Sequence, residues 1–211
     1  MFKEQVGQIM SDGMVRLKVT YQYVFIGVLL AMIGAFAIYP FAASIAPWVF
    51  YTLMGLELAI VIAFIFMRNA FMFFLFTLLT GITMVPMLSH YIAAGAGGAV
   101  LLALIGTVAI TLGLTIYAAT TKKSFLSLGS TLFWILIALL VMMVANLFIG
   151  SSIMATGISM VAVVLFSFFL IYDTQAVLYT DIDPLTAAMG IYLDILNLFV
   201  HLVHLLAGNK D

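Results

Sequence analysis

Seven long apolar runs, separated by short polar or glycine-containing segments, make up most of the chain. Each run is close to the roughly 20 residues that a helix needs to cross the hydrocarbon core of a bilayer. None of them alternates apolar and polar positions as the strands of a membrane barrel do. The pattern therefore predicts seven transmembrane helices, over residues 21–39, 48–67, 71–90, 99–120, 125–149, 157–179 and 184–207.

Residues at the ends of the last run predict where its helix begins and ends. Asp183-Pro184 is typical of an N-cap followed by a first helical residue, and Gly208 is typical of a helix end. We expect residues 1–20 to form a cytoplasmic N-terminal segment, residues 21–207 a single transmembrane domain, and residues 208–211 a short C-terminal tail. The first run is about twice as long as a signal-peptide core, so we expect it to be an uncleaved helix.

Composition excludes a soluble protein. The 211 residues are 66% hydrophobic and 7% charged, with a mean hydropathy of +1.32, whereas soluble domains carry about 25% charged residues. The absence of Cys excludes disulfides and thiolate metal sites, and a net charge of −1 leaves no basic patch for nucleic acid. The predicted class is an all-α membrane protein whose main partner is the lipid bilayer, without nucleic acid and without a cofactor.

The basic residues predict the orientation of the chain in the membrane. When the loops are numbered alternately, six of the seven basic residues fall on one side: Lys3, Arg16, Lys18, Arg68, Lys122 and Lys123. Only Lys210 falls on the other side. Because basic loops stay in the cytoplasm, we expect a cytoplasmic N-terminus and an external C-terminus. A short chain without organelle-targeting features favours a multi-pass protein of the bacterial inner membrane.

Two carboxylates, Asp173 and Asp194, are predicted to lie deep in the last two helices. Asp173 would be about 9 Å before the inner end of its helix, and Asp194 about 15 Å into the next. Helices joined by a short connector usually pack together, so the two side chains are expected to meet. Two carboxylates in a low-dielectric site cannot both ionise cheaply, so near neutral pH they would share one proton.

A shared proton would make this aspartate pair (Asp173 and Asp194) a pH-dependent latch, that is, a contact that holds the two helices together. Loss of the proton leaves two negative charges that repel each other. A Ca²⁺ ion is the other natural partner of the pair, since it takes carboxylate oxygens in flexible geometry. Arg68, at the inner end of the second helix, can pair with one carboxylate. Simpler roles stay open: Asp173 as an interfacial cap, Asp194 as a structural polar contact, and Arg68 as an ordinary membrane anchor.

The last helix carries a polar stripe. Asp194, Asn197, His201 and His204 fall within an arc of about 80° on one of its faces. Such a stripe among lipid-like residues should turn towards the protein interior or a water-filled cavity. His201 and His204 have a spacing that suits a metal, but no third ligand is evident, so packing or interfacial roles are favoured.

Motifs of enzymes are missing. Tyr172-Asp173 superficially fits the first aspartate of an intramembrane aspartyl protease, but the residues before Asp194 lack the glycines of the second. The chain has no rhomboid-like serine motif, no P-loop and no dinucleotide fingerprint. We therefore predict a protein that is not an enzyme.

Four segments, in order along the chain, resemble the transmembrane Bax inhibitor-1 motif family. They are Thr80-Gly-Ile-Thr-Met-Val-Pro86, Thr120-Thr-Lys-Lys-Ser-Phe-Leu-Ser-Leu-Gly129, Ile171-Tyr-Asp-Thr-Gln175 and Ile191-Tyr-Leu-Asp-Ile-Leu-Asn-Leu-Phe199. The last two together are fairly specific, and the resemblance extends over nearly the whole chain. It implies a bundle in which the seventh helix is central and is wrapped by the other six.

The resemblance also implies a function. Bacterial members behave as pH-sensitive calcium leak channels, and an aspartate pair matching Asp173 and Asp194 is their pH sensor. An arginine matching Arg68 interacts with that pair, and a glutamate matching Glu57 lies along the ion path. We therefore expect a monomeric channel that transports Ca²⁺, with both aspartates contacting the ion.

Two other functions stay open at this point. Some relatives bind and restrain a membrane protease, which would make this protein a non-conducting regulator with a membrane-protein partner. A cation/proton exchanger is the second alternative. For Glu57 itself, a simpler role as a protonated, hydrogen-bonded helix contact also stays open. The chain also departs from the family pattern at His204, where many members have Arg, and its C-terminal tail lacks a cluster of charges.

Overall fold

The computed structural model describes residues 2–208, and seven long helices account for nearly all of them. Their bounds are α1 Phe2–Ile38, α2 Pro47–Met67, α3 Ala70–Ala93, α4 Gly97–Thr120, α5 Gly129–Ile149, α6 Ser152–Tyr179 and α7 Pro184–Ala207. The described residues contain no strand, and every helix is long and apolar enough to span a membrane. The predicted all-α membrane class with seven spans is confirmed. Lys210 lies outside the described residues.

Side chains cap three of these helices at their first turn. Asn69 accepts a hydrogen bond from the Phe71 amide at 2.8 Å, and Ser151 accepts one from the Met154 amide at 3.2 Å. Asp183 accepts from the Thr186 amide at 2.9 Å, so the predicted cap of α7 is present. Each cap stabilises its helix by about 1 kcal/mol. The other end of α7 is followed by Gly208, as predicted.

Several boundaries differ from the expectation, and α5 begins at Gly129, four residues after its predicted start. The N-terminal segment is helical and continuous with the first span, because its Lys, Glu, Gln, Met and Arg residues favour a helix. The sixth helix begins at Ser152, five residues before its predicted start at 157, because Ser151 supplies the cap there. The connection between α1 and α2 begins with a short 3₁₀ helix, Tyr39–Ser44.

Helix α7 lies at the centre of the bundle, as predicted. It packs against α1, α3, α4 and α6, whereas α2 packs mainly against α3, and α5 packs mainly against α6. The direct neighbours of α7 are thus four helices, with α2 and α5 at the periphery. Ile191, Leu198 and Val203 of α7 are completely buried.

Small residues bring α1 and α3 into close contact. The Cα of Gly81 lies against the backbone carbonyl of Ala31, so any side chain at position 81 would overlap it. Such close approach lets membrane helices associate through van der Waals packing and not through the hydrophobic effect. Helix α3 also presents Phe73 and Phe76, whose rings each lie 6.0 Å from the ring of Tyr192 on α7. This contact positions α7, which carries the candidate site.

Candidate functional site

The aspartate pair lies between α6 and α7. The Asp194 side chain is 5% exposed, and its Oδ2 atom has no hydrogen-bond partner among the described residues. The carboxylate of Asp173 lies against the backbone of Gly190, one helical turn before Asp194. The two carboxylates are close enough for their charges to interact, but no hydrogen bond joins them in the described part of the chain. The structure therefore brings the predicted pair together without closing a direct bond between its members.

A tyrosine hydroxyl from α1 lies near the pair. Tyr21 of α1 forms a hydrogen bond of 2.5 Å with Thr115 of α4, and it interacts electrostatically with both aspartates. Thr20 has a buried hydroxyl without a hydrogen-bond partner among the described residues. Buried polar atoms are normally hydrogen-bonded. Asp194 Oδ2 therefore has no protein donor, among the described residues, to stabilise a negative charge on it.

Glu57 belongs to a second polar group, on the α2–α3 side. The Thr83 hydroxyl donates to Oε1 of Glu57 at 2.6 Å. The oxygen of the same Thr83 hydroxyl lies 3.2 Å from the carbonyl oxygen of Thr80. The Thr80 hydroxyl in turn forms a hydrogen bond of 2.5 Å with the hydroxyl of Tyr192. Threonines of α3 thus link the carboxylate of α2 to the central helix.

Arg68 lies apart from the aspartate pair. It ends α2 with a left-handed backbone, at φ 42°, and its amide donates to the Phe64 carbonyl at 2.9 Å. Its side chain is exposed and makes no ion pair with Asp173 or Asp194 within residues 2–208. The structure therefore does not group the predicted third member of the sensor with the other two.

Arg16, which was predicted only to lie on the cytoplasmic side of the membrane, contacts α6. Its Nε atom donates to the Val177 carbonyl at 3.2 Å, and its guanidinium lies 3.6 Å from the carboxylate of Asp181. The available signal was its helical spacing from Gly13 and Thr20, which are both buried. Those positions place Arg16 beside an inward face of α1.

The polar stripe of α7 makes contacts inside the bundle. His201 is 6% exposed, its Nδ1 lies 3.1 Å from the Ser159 hydroxyl, and its ring stacks on that of Phe166. Nδ1 of His204 lies 3.1 Å from the Tyr91 hydroxyl. Asn197 donates to a carbonyl of its own helix at 2.7 Å. Within the described residues, no three His, Cys, Asp or Glu side chains group as metal ligands.

Gln175, which sequence reasoning missed, fixes the connection between α4 and α5. Its side chain accepts from the Phe125 amide at 2.7 Å, and donates to the carbonyls of Lys123 at 2.9 Å and Ala118 at 3.4 Å. It is 1% exposed. A lone amide two residues after Asp173 in an apolar helix was the signal that could have identified it.

Comparisons with known proteins give a consistent result along the chain. The profile of the family described as "Inhibitor of apoptosis-promoting Bax1" matches residues 14–211. An uncharacterized protein of Campylobacter jejuni is 33% identical over 93% of this chain and 89% of its own length. Protein lifeguard 4 of Mus musculus is 34% identical over 67% of this chain and 59% of its own.

A further relative has a more specific name. The Modulator of FtsH protease YccA of Escherichia coli is 29% identical over 63% of this chain and 61% of its own length. In another strain of that species the matching protein is named Inner membrane protein YccA.

Proposed function

The chain belongs to the Bax inhibitor-1 family, and we propose that it is a pH-responsive leak channel for Ca²⁺ in a bacterial inner membrane. The observation that carries this proposal is the buried pair, in which Asp194 Oδ2 has no partner among the described residues. A buried carboxylate without a partner is costly. The position therefore favours either a bound proton or a bound cation, which are the two species that such a channel would exchange.

The proposed gate is the contact between α6 and α7. At low pH the pair shares a proton, the charge between the helices is at most −1, and the helices stay together. As the pH rises this proton leaves, and two carboxylates in a low-dielectric site repel each other. The closed arrangement is thus favoured at low pH and loses stability as the pH rises, so Ca²⁺ flux should increase with pH.

Glu57 lies on α2 and Arg68 follows its last residue, so both take part in the proposed mechanism through this helix. The side chain of Glu57 gives the ion path a carboxylate, and the Thr83 and Thr80 hydroxyls connect it to α7. Because α2 packs mainly against α3 alone, it is the helix that can shift with least loss of contact. Such a shift would bring Arg68 towards the aspartate pair, where its charge would ease the repulsion.

Calcium flux into proteoliposomes tests the proposal. The purified chain would be compared with Asp173→Asn and Asp194→Asn from about pH 6 to about pH 8. Asp183→Asn is the matched control, because it changes the same group outside the pair and Asn caps a helix about as well as Asp. We expect flux that rises with pH in the wild type and in the control, and a flat profile in the two pair variants.

Two outcomes would contradict the channel. Flux that requires an imposed proton gradient would indicate a cation/proton exchanger. Absence of Ca²⁺ flux at every pH, in protein whose folding is verified, would exclude a conducting function.

The similarity to a modulator of the FtsH protease favours one alternative, a regulator of a membrane protease. This activity can be measured by adding the purified chain to a reconstituted membrane protease of that class and following degradation of a substrate. A regulator would change the degradation rate, and the two asparagine variants would act like the wild type. An unchanged rate would exclude this role.

A further inference from the structure

A cavity of about 470 Å³ lies beside the end of α4, where the chain turns towards α5. Two lysines and four hydroxyl side chains contribute to its lining: Lys122, Lys123, Thr120, Thr121, Ser124 and Tyr179. None of the described lining residues is Asp or Glu. The cavity is therefore positively charged and rich in hydrogen-bond donors.

The charges in this cavity are not neutralised by the protein. Lys122 and Lys123 are exposed, and neither forms an ion pair with any described residue. The Thr121 hydroxyl oxygen accepts the Lys123 amide at 3.2 Å, which leaves its proton free to donate. Ser124 has no hydrogen-bond partner within residues 2–208. Two ammonium groups and two or more available hydroxyls suit an anion with several oxygen acceptors.

The wall of the cavity is held in place by Gln175. This side chain lines the cavity, is 1% exposed, and fixes the Lys123 carbonyl and the Phe125 amide. The backbone that carries the lysines is thus anchored to α6. A site ordered before its ligand arrives loses less entropy on binding than a loose basic loop would.

The cavity lies at the boundary of the predicted membrane. The fourth span ends at Thr120 and the fifth begins at Leu126, and the cavity occupies the turn between them. Lipid headgroups lie at this level. Ala119 and Leu126 add apolar lining on the side of the spans, so the cavity offers charge towards the headgroup layer and apolar surface towards the acyl chains.

We propose that this cavity binds a phosphate group, supplied by the headgroup of an anionic phospholipid in the adjoining leaflet. Basic pockets between transmembrane helices bind such headgroups. A zwitterionic headgroup carries its own cation and has no net charge, so the lysines should bind it less tightly than an anionic headgroup. The proposal does not depend on ion conduction, and it gives the α4–α5 turn a ligand that holds it against α6.

Lipid binding to the purified full-length chain tests the site. Native mass spectrometry would count bound phosphatidylglycerol and phosphatidylcholine and give a Kd for each. We expect phosphatidylglycerol to bind more tightly, and Lys122→Gln or Lys123→Gln to weaken it about fivefold each. Ser124→Ala should also weaken it, since this variant removes a donor without changing the charge.

Lys18→Gln is the matched control, because Lys18 is an exposed lysine of α1 that does not line the cavity. Binding should be unchanged in this variant. An equal loss in Lys18→Gln, or equal affinity for the two lipids, would overturn the site in favour of general charge attraction. Inorganic phosphate is the competitor that separates the sources. Displacement of the lipid by phosphate at a concentration no higher than that of the lipid would overturn the lipid as the supplier, whereas retention of the lipid at that concentration supports the headgroup.

Discussion

The carboxylate of Asp173 on α6 occupies the space that a side chain of Gly190 on α7 would fill. Gly190 lies one turn before Asp194, so its missing side chain allows the first carboxylate to approach the helix that carries the second. Glycine inside a helix costs about 1 kcal/mol relative to alanine. In this position the cost is offset by the close contact of α6 and α7 at the aspartate pair.

Gly190→Ala should therefore disturb the pair. The added methyl group overlaps the Asp173 carboxylate, and overpacking of this kind costs about 1–3 kcal/mol. Unfolding titrations in mixed micelles should show this loss, and the pH profile of Ca²⁺ flux should shift with it.

Gly113→Ala is the control, because no neighbouring atom lies within 4 Å of its added Cβ. The control should gain about 0.5–1 kcal/mol, and the same gain in Gly190→Ala would contradict the proposed contact.

Much of the fold was predictable because membrane helices are specified by local composition. Each apolar run is long enough to span the bilayer by itself, so the number of helices did not depend on tertiary contacts. The Asp183-Pro184 cap was predictable for the same reason. The start of α6 was not, because a capping Ser151 inside a run of small and apolar residues gives a weak signal.

Glu57→Gln should separate the charge of this residue from its structural contact. The amide oxygen of Gln can accept the Thr83 hydroxyl as Oε1 of Glu57 does, so stability should change by less than about 1 kcal/mol. If Glu57 lies on the ion path, Ca²⁺ flux should nevertheless fall, because the cation loses a carboxylate ligand. Flux in proteoliposomes and thermal unfolding would be measured on the same preparations.

Thr83→Val is the complementary variant. It removes the hydrogen bond but keeps the carboxylate, so it should lower stability by about 1 kcal/mol and leave Glu57 available to the ion. Equal loss of flux in both variants would show that Glu57 acts only through its contact with α3.

His201 and Ser159 should be energetically coupled. Both are buried, and their side chains lie 3.1 Å apart across the α6–α7 interface. His201→Phe keeps an aromatic ring for Phe166 to stack on, while Ser159→Ala removes the hydroxyl. A double-mutant cycle in unfolding titrations should give a coupling free energy of about 0.5–1.5 kcal/mol. Additive single effects would show that the hydrogen bond contributes nothing to stability.

The partners of the polar side chains could not be derived from the sequence. Spacing along α7 identifies which residues share a face, but it does not reveal that Ser159 and Tyr91 are the groups they meet. The same limit explains Arg68 and Arg16. Both are basic residues near the ends of predicted spans, and only the packing of α1 against α6 brings Arg16 to the Val177 carbonyl and leaves Arg68 exposed.

Arg16→Gln should loosen α1 from the end of α6. Val177 is in the last turn of α6, where the helix has no further amides to satisfy its carbonyls and where positive charge is favourable. Loss of the bond from Nε should lower stability by about 1 kcal/mol. Asp181→Asn removes only the ion pair, whose carboxylate is fully exposed, and should leave the melting temperature unchanged. Lys18→Gln removes the same charge from an exposed position of α1 and is the control. If all three variants melt alike, the contact between Arg16 and α6 does not stabilise the bundle.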